Sequence, residues 1–174
     1  MRPETEKILG KVKRISMGLR TVCKGLMVLT AVVFIVAAVS VLAGTGVAIS
    51  FSDVLIPVAP LSILARLVLI VILALSMGVM AKGLYHLDRL FSNYARGEIF
   101  TTQAASQIRQ LGFTAILWAG VGIIWGVAAL SFTRTRPMSF HLHLDSIFIG
   151  VAIIAISWFM EAAAEMREEN DLTI

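Results

Sequence analysis

Four long apolar segments alternate with polar segments along this chain of 174 residues. A helix that crosses the hydrocarbon core of a bilayer needs about 20 mostly apolar residues. The fourth apolar segment has only 15 uncharged residues, Ser146–Met160, so we expect it to continue past Glu161. The pattern predicts four membrane-spanning helices, at about residues 26–44, 61–81, 110–130 and 146–166.

The predicted fold class is therefore an all-α integral membrane protein, a single domain built as a four-transmembrane-helix bundle. The composition agrees, because 58% of the residues are hydrophobic and only 15% are charged, whereas about a quarter of a soluble domain is charged. A cleavable signal peptide is the alternative for the first span, since a basic start precedes its apolar run. That run is longer than the apolar region of a typical signal peptide, which favours a retained helix.

Lys and Arg are distributed unevenly among the segments that flank the spans. Seven precede the first span, four lie between the second and third, two between the third and fourth, and one follows the fourth. Between the first two spans there is none before Arg66. Because cytoplasmic loops carry an excess of these residues, both termini and the middle loop are predicted to be cytoplasmic. Orientation thus accounts for the net charge of +4, and we expect no direct nucleic-acid binding, since no base-reading module is present.

The middle segment, residues 82–109, has the periodicity of a helix. Its apolar residues recur at spacings of three and four, at Leu84, Leu87, Phe91 and Tyr94. We expect the second helix to continue to about Ala95 and to stop at Gly97. A new helix should start at Thr101 or Thr102, with Phe100 packing on its first turn.

These features predict that helices two and three form a cytoplasmic helical hairpin, with the sequence YARGEIF at its tip. The tip is either a tight connection or a docking surface for a cytoplasmic partner.

The segment LDRLFSNYARGEIFT, followed by LGFTAILWAG and by the closing EENDLTI, resembles the bacterial four-span membrane family catalogued as domain of unknown function 2975. The resemblance extends from about Arg20 to the end of the chain. Its most specific positions in the hairpin include Phe91, Tyr94, Gly97, Ile99, Phe100 and Thr101. The resemblance implies this architecture, a place in the bacterial cytoplasmic (inner) membrane and no known activity. It also implies a candidate partner, because such proteins are often encoded beside a small helix-turn-helix regulator.

Of the charged residues inside the predicted spans, Arg66 and Glu161 lie farthest from the span ends and so at the depths where charge is most costly. Arg66 is near the outer end of span two and can extend its side chain outward; Asp53 or Asp145 is a candidate partner. Glu161 is near the inner end of span four, in the opposite leaflet from Arg66. It is either a structural ion pair or a proton or cation site. Its candidate partners are Lys82, Arg109, Arg20 and Lys24.

The two ends of the chain carry opposite charge. Residues 1–24 form a basic amphipathic segment, with Ile8, Val12, Ile15 and Leu19 on one face, which is suited to anionic lipid headgroups. Residues 167–174 form an acidic tail. The basic segment binds either lipid or this tail.

Three further groups are candidates for local roles. His141, His143 and Asp145 alternate as ligands of a zinc or copper site would, or as residues of an ordinary polar loop. Gly122 and Gly126 have the spacing that lets helices approach closely. Three tryptophans well inside the spans are predicted to be packing residues, Trp118, Trp125 and Trp158.

The sequence contains no serine nucleophile motif, phosphate-binding glycine loop or cysteine cluster, and we expect neither an enzyme nor a cofactor. The leading hypothesis is a non-enzymatic membrane sensor or regulatory partner that engages a cytoplasmic regulator through the hairpin and tails. The alternative is a small oligomeric channel or transporter, with Glu161 or Arg66 lining its path. Either function allows a homo-oligomer in the lipid bilayer.

The predicted orientation has a direct test. An epitope tag inserted at Gly97 should be protected in intact cells and accessible after the cytoplasmic membrane is permeabilised, because the tip lies inside. Immunolabelling before and after permeabilisation measures this. Labelling in intact cells would contradict the orientation and every cytoplasmic role that depends on it.

Overall fold

A computed structural model describes residues 3–45, 48–51, 54–98, 101–132 and 144–172. Each of the four helices contains a stretch long and apolar enough to cross a bilayer, which confirms the predicted four spans of a multi-pass membrane protein. The elements are α1 (Pro3–Ala43), β1 (Ala48–Phe51), β2 (Val54–Pro57), α2 (Ile63–Arg96), α3 (Thr102–Phe132) and α4 (Leu144–Leu172).

The helices pack in chain order as an open row. Extensive interfaces join α1 to α2, α2 to α3, and α3 to α4; among the described residues no interface of similar extent joins α1 to α4. The edge helices therefore bury less of their spans, 11% for α1 and 17% for α4, against 28% for α2 and 33% for α3. We call the end of the row around Gly97 the hairpin end, and the end that carries β1 and β2 the strand end.

The two strands at the strand end were not predicted from the sequence. They pair in antiparallel register, with Ile49 opposite Ile56 and Phe51 opposite Val54. Ile56 and the following Val58 are buried in the core, so the strands cover the helices at this end. Short apolar runs on both sides of residues 52–53 were the available signal, but Ser-Asp is not one of the strong hairpin turn pairs.

α1 is one continuous helix of 41 residues, about 61 Å long at 1.5 Å per residue. The basic N-terminal segment is therefore an extension of the first span. Buried Ser16 and Cys23 lie on the helix face that packs on the rest of the protein. Ile15 and Leu19, predicted to share one apolar face, are 62% and 40% exposed, so they are available to lipid.

A buried hydrogen bond joins α2 to α3 in the core. The Trp125 indole N–H donates to the Ser76 hydroxyl at 2.8 Å, and that hydroxyl donates to the Ile72 carbonyl at 2.8 Å. Ser76 and Trp125 are each only 1% exposed, so the indole has a partner where water cannot reach. Packing was predicted for all three tryptophans; it is confirmed for Trp125, but Trp158 is 62% exposed on α4.

The α3–α4 interface depends on glycines that sequence reasoning missed. A Cβ atom on Gly112 would lie 2.7 Å from the Gly150 carbonyl oxygen, and one on Gly150 would lie 2.8 Å from the Gly112 carbonyl oxygen. The two backbones thus approach as closely as small residues allow. Gly122 and Gly126 are half-buried, and their role in helix packing stays a prediction.

These contacts also fix the position of α4 along the row. Gly150 lies level with Gly112 and Ile116. From that level, α3 continues much farther toward the strand end than α4 does. At a rise of 1.5 Å per residue, the strand-end terminus of α3 extends roughly 15 to 20 Å beyond Leu144, the first residue of α4. The helix α4 is therefore displaced toward the hairpin end.

The buried hydrogen bond predicts a specific loss of stability. Ser76→Ala removes the hydroxyl that accepts the Trp125 indole N–H, and the expected cost is about 1–3 kcal/mol of unfolding free energy. Thermal unfolding in detergent measures it. Ser131→Ala is the matched control, because the exposed Ser131 hydroxyl donates only to the Val127 carbonyl of its own helix. Equal losses for the two variants would contradict the role of the α2–α3 bond.

Candidate functional site

Polar side-chain contacts join each neighbouring pair of helices at one level near the hairpin end. Arg20 Nε of α1 donates to Asp88 Oδ1 of α2 at 3.3 Å. Between α2 and α3, His86 Nδ1 and Gln107 Oε1 are 2.8 Å apart. Arg109 Nη1 of α3 donates to Glu161 Oε2 of α4 at 3.4 Å. We call these six residues the polar tier: Arg20, His86, Asp88, Gln107, Arg109 and Glu161.

Arg109 is the basic residue that pairs with Glu161. Of the four candidates considered from the sequence, Arg109 forms the ion pair. The Arg109 and Glu161 side chains are 37% and 33% exposed. An ion pair this open to its surroundings contributes about 1 kcal/mol or less to stability. Its main effect is to compensate a carboxylate at the hairpin-end edge of a span.

The α2 segment at the level of the tier carries a further polar cluster. Arg89 Nε donates to the Tyr85 hydroxyl at 3.1 Å, and its guanidinium carbon lies 5.4 Å from the Tyr85 ring centroid. The Tyr85 ring meets the His86 ring edge to face, with 5.5 Å between centroids. Contacts at i, i+4 of this kind stabilise an exposed helix surface by a few tenths of a kcal/mol, on the order of 0.2–0.5.

Gly97 ends α2, as predicted. Its φ of 86° and ψ of 6° are left-handed, a conformation that glycine adopts without the steric cost of a Cβ. The Gly97 N–H donates to the Tyr94 carbonyl at 3.0 Å and the Glu98 N–H donates to the Asn93 carbonyl at 3.1 Å. This pair of bonds is the Schellman motif, which satisfies the last carbonyls of a helix.

Thr101 is the N-cap of α3, and the helix itself begins at Thr102. The Thr101 hydroxyl accepts a hydrogen bond from the Ala104 N–H at 3.2 Å, and its carbonyl accepts one from the Ala105 N–H at 3.1 Å. Ala104 and Ala105 are 0% and 2% exposed, and their small side chains suit close packing in the first turn of α3, next to the hairpin tip. Both helix ends at the tip are thus capped.

The predicted tip residues do not all face outward. Phe91 and Tyr94 are half-buried, whereas Arg96, Glu98 and Gln103 are exposed. Ile99 and Phe100, including the predicted packing of Phe100 on α3, lie outside the described residues. The described surface of the tip is therefore polar and carries both signs of charge.

Asn93 is a polar residue whose burial the sequence did not indicate. It is not one of the periodic apolar positions of α2, yet it is only 2% exposed. Its side-chain oxygen accepts a hydrogen bond from Arg96 at 3.4 Å, while its buried amide nitrogen has no partner among the described residues. Packing of α2 against its neighbours at the hairpin end covers it.

Arg66 lies at the opposite end of the row from Glu161, as predicted. Its Nη2 donates to the Ala59 carbonyl at 3.3 Å; Asp53, one of the two proposed acidic partners, lies outside the described residues, and pairing with an acidic residue stays a prediction. The guanidinium also covers Gly44, where a Cβ would lie 2.8 Å from Cζ and where φ is 64°. Arg66 therefore supplies positive charge at the C-terminus of α1, where the helix dipole is negative.

No group of three or more His, Cys, Asp or Glu side chains suited to metal binding occurs among the residues that the structure describes. His141 and His143 lie outside those residues, and Asp145 is exposed in the first turn of α4. The weak metal candidate at this loop stays a prediction.

The left-handed helix end predicts a local effect of substitution. Gly97→Ala places a Cβ in a conformation that costs roughly 1–2 kcal/mol. Hydrogen exchange at the Gly97 and Glu98 amides should accelerate, while exchange in the apolar part of α2 stays unchanged. Gly78→Ala is the matched control, since nothing lies within 4 Å of a Cβ there and alanine favours a helix. Unchanged exchange in Gly97→Ala would contradict the cap.

Comparison with known proteins gives one family. No curated protein matches the chain, and no solved structure matches it. The sequence profile described as "Protein of unknown function (DUF2975)" matches residues 50–174. The match covers the second half of β1 and all of β2, α2, the hairpin, α3 and α4, and so includes every residue of the polar tier except Arg20. The chain therefore belongs to the DUF2975 family of proteins of unknown function.

Proposed function

We propose that this protein is a non-enzymatic sensor or regulatory partner in the bacterial cytoplasmic membrane. It engages a cytoplasmic regulator through the α2–α3 hairpin, with contributions from the helical extensions of α1 and α4. The partner class is a small helix-turn-helix regulator. The observation that carries the proposal is the projecting hairpin with both helix ends capped.

The hairpin supports the proposal by its length. α2 has 34 residues and α3 has 31, which correspond to about 51 Å and 46 Å, whereas the hydrocarbon core is about 30 Å thick. Of this length, about 12 Å of α2, residues 89–96, and about 8 Å of α3, residues 102–106, lie beyond the polar tier at the hairpin end. A helix pair in this position presents a surface to water whose shape is fixed before a partner binds, which lowers the entropic cost of binding.

The basic residues support a cytoplasmic hairpin. Seven Lys and Arg residues precede the first span and four lie between the second and third. This bias places the hairpin end inside the cell. The N-terminal part of α1 and the C-terminal part of α4 extend in the same direction and enlarge the surface available to a soluble protein.

The alternative of a channel or transporter gains less support. An acidic group that lines a path must be free to exchange ions or protons, whereas Glu161 forms an ion pair with Arg109. Arg66 likewise contacts a backbone carbonyl of its own chain. The open row of four helices encloses no polar path among its described residues.

The proposal is tested by affinity capture of the tagged full-length protein from native membranes. The wild type should retain a soluble helix-turn-helix protein, identified by mass spectrometry. Glu98→Lys with Gln103→Lys should lose that protein, because both positions are exposed at the tip. Thr45→Lys with Pro60→Lys is the matched control, with the same lysines placed at exposed positions of the strand end.

Retention of the regulator by the tip variant, or equal loss in the control, would overturn the proposed docking site. If only self-assembly is found, with ion flux in liposomes, the channel hypothesis replaces the regulatory one.

A further inference from the structure

The two edge helices carry opposite charge where they extend beyond the polar tier. In α1, Lys11, Lys13 and Arg14 are exposed, and no acidic residue lies between Lys7 and Arg14. In α4, four of the seven residues from Glu165 to Asp171 are acidic and one is basic. We call residues 11–14 the basic stretch and residues 165–171 the acidic stretch.

The two stretches lie at similar distances from the membrane. In the polar tier, His86 and Asp88 are two residues apart on α2 and Gln107 and Arg109 are two residues apart on α3, so the side-chain contacts of Arg20 of α1 and Glu161 of α4 lie at similar heights. Counted from these residues, the basic stretch lies about 9–14 Å beyond the tier and the acidic stretch about 6–15 Å beyond it, at 1.5 Å per residue. A bilayer holds every copy of the protein at the same depth, so the two stretches of different copies overlap in height.

Within one chain these stretches belong to helices at opposite edges. The main interfaces place α2 and α3 between α1 and α4, and both edge helices leave most of their spans uncovered. Inside the hydrocarbon, lipid covers such apolar faces as well as protein does, so their exposure does not indicate a protein neighbour. Beyond the membrane lipid chains are absent, and complementary charge favours a specific neighbour.

We propose that the neighbour is a second copy of this chain, with α1 of one copy against α4 of the other and the basic stretch beside the acidic stretch. A two-fold axis along the membrane normal forms two such contacts at once and closes the assembly as a dimer. The interface is selected by charge near the membrane surface, where screening acts over about 8–10 Å at moderate ionic strength.

Charge reversal of the full-length protein tests the interface. Variant A carries Lys11→Glu and Arg14→Glu; variant B carries Glu165→Lys and Glu168→Lys. Copies with two different affinity tags are co-expressed and captured in nanodiscs of neutral phosphatidylcholine, which removes attraction to anionic headgroups. Lys82→Glu with Arg89→Glu is the control for the same charge change at exposed positions on α2.

The wild type and the control should each capture their differently tagged copies, and added salt should weaken that capture. Variant A alone and variant B alone should lose self-capture, because like charges then face each other at both contacts. Variant A mixed with variant B should recover it, since each contact then pairs opposite charges. Failure of wild-type capture in neutral lipid, self-capture by variant A or B, or no recovery in the mixture would overturn the proposal.

Epitope labelling at the hairpin end of each variant verifies unchanged orientation. The alternative arrangement pairs the basic and acidic stretches of the same chain. Recovery that occurs in the mixture and in neither variant by itself excludes this arrangement, because each chain of the mixture carries two stretches of the same charge.

Discussion

The hydrocarbon interior offers no water to a charged or hydrogen-bonding side chain, and this constraint decides where the helices of this protein make polar contacts. Each pair of neighbouring helices is joined by one such contact in the polar tier at the hairpin end. In the middle of the row the buried contact between Ser76 and Trp125 is complete, because the serine hydroxyl both accepts and donates. Polar groups are thus either at the edge of the membrane or fully paired.

The hydrocarbon environment also explains why the rest of the protein covers so little of each span. Lipid tails are as apolar as the side chains of the helices, so burying apolar surface gives no driving force for closing the bundle. Close packing and hydrogen bonds hold the row instead, as at Gly112 and Gly150 between α3 and α4. An open row is stable in a membrane for this reason, whereas in water its edge helices would require a cover.

Beyond the tier the solvent changes to water, and the helices acquire features of soluble proteins. The Schellman motif at Gly97 and the threonine cap at Thr101 satisfy backbone groups that water would otherwise compete for. Charge density also rises, with a basic stretch on one edge helix and an acidic stretch on the other. The docking site proposed at the hairpin tip and the self-association proposed at the edges use different residues, although the extensions of α1 and α4 take part in both proposals.

Local chemistry made several features predictable from the sequence: the four spans, the helix end at Gly97, a threonine at the start of α3, and the separation of Arg66 from Glu161. Hydropathy, charge and backbone preference act over a few residues, and each leaves a pattern in the chain. Only the tertiary structure decided which basic residue pairs with Glu161, why Trp125 is buried while Trp158 is exposed, and how far α4 is displaced along α3. The reason is that a span is apolar on every face, so its sequence does not distinguish the face toward another helix from the face toward lipid.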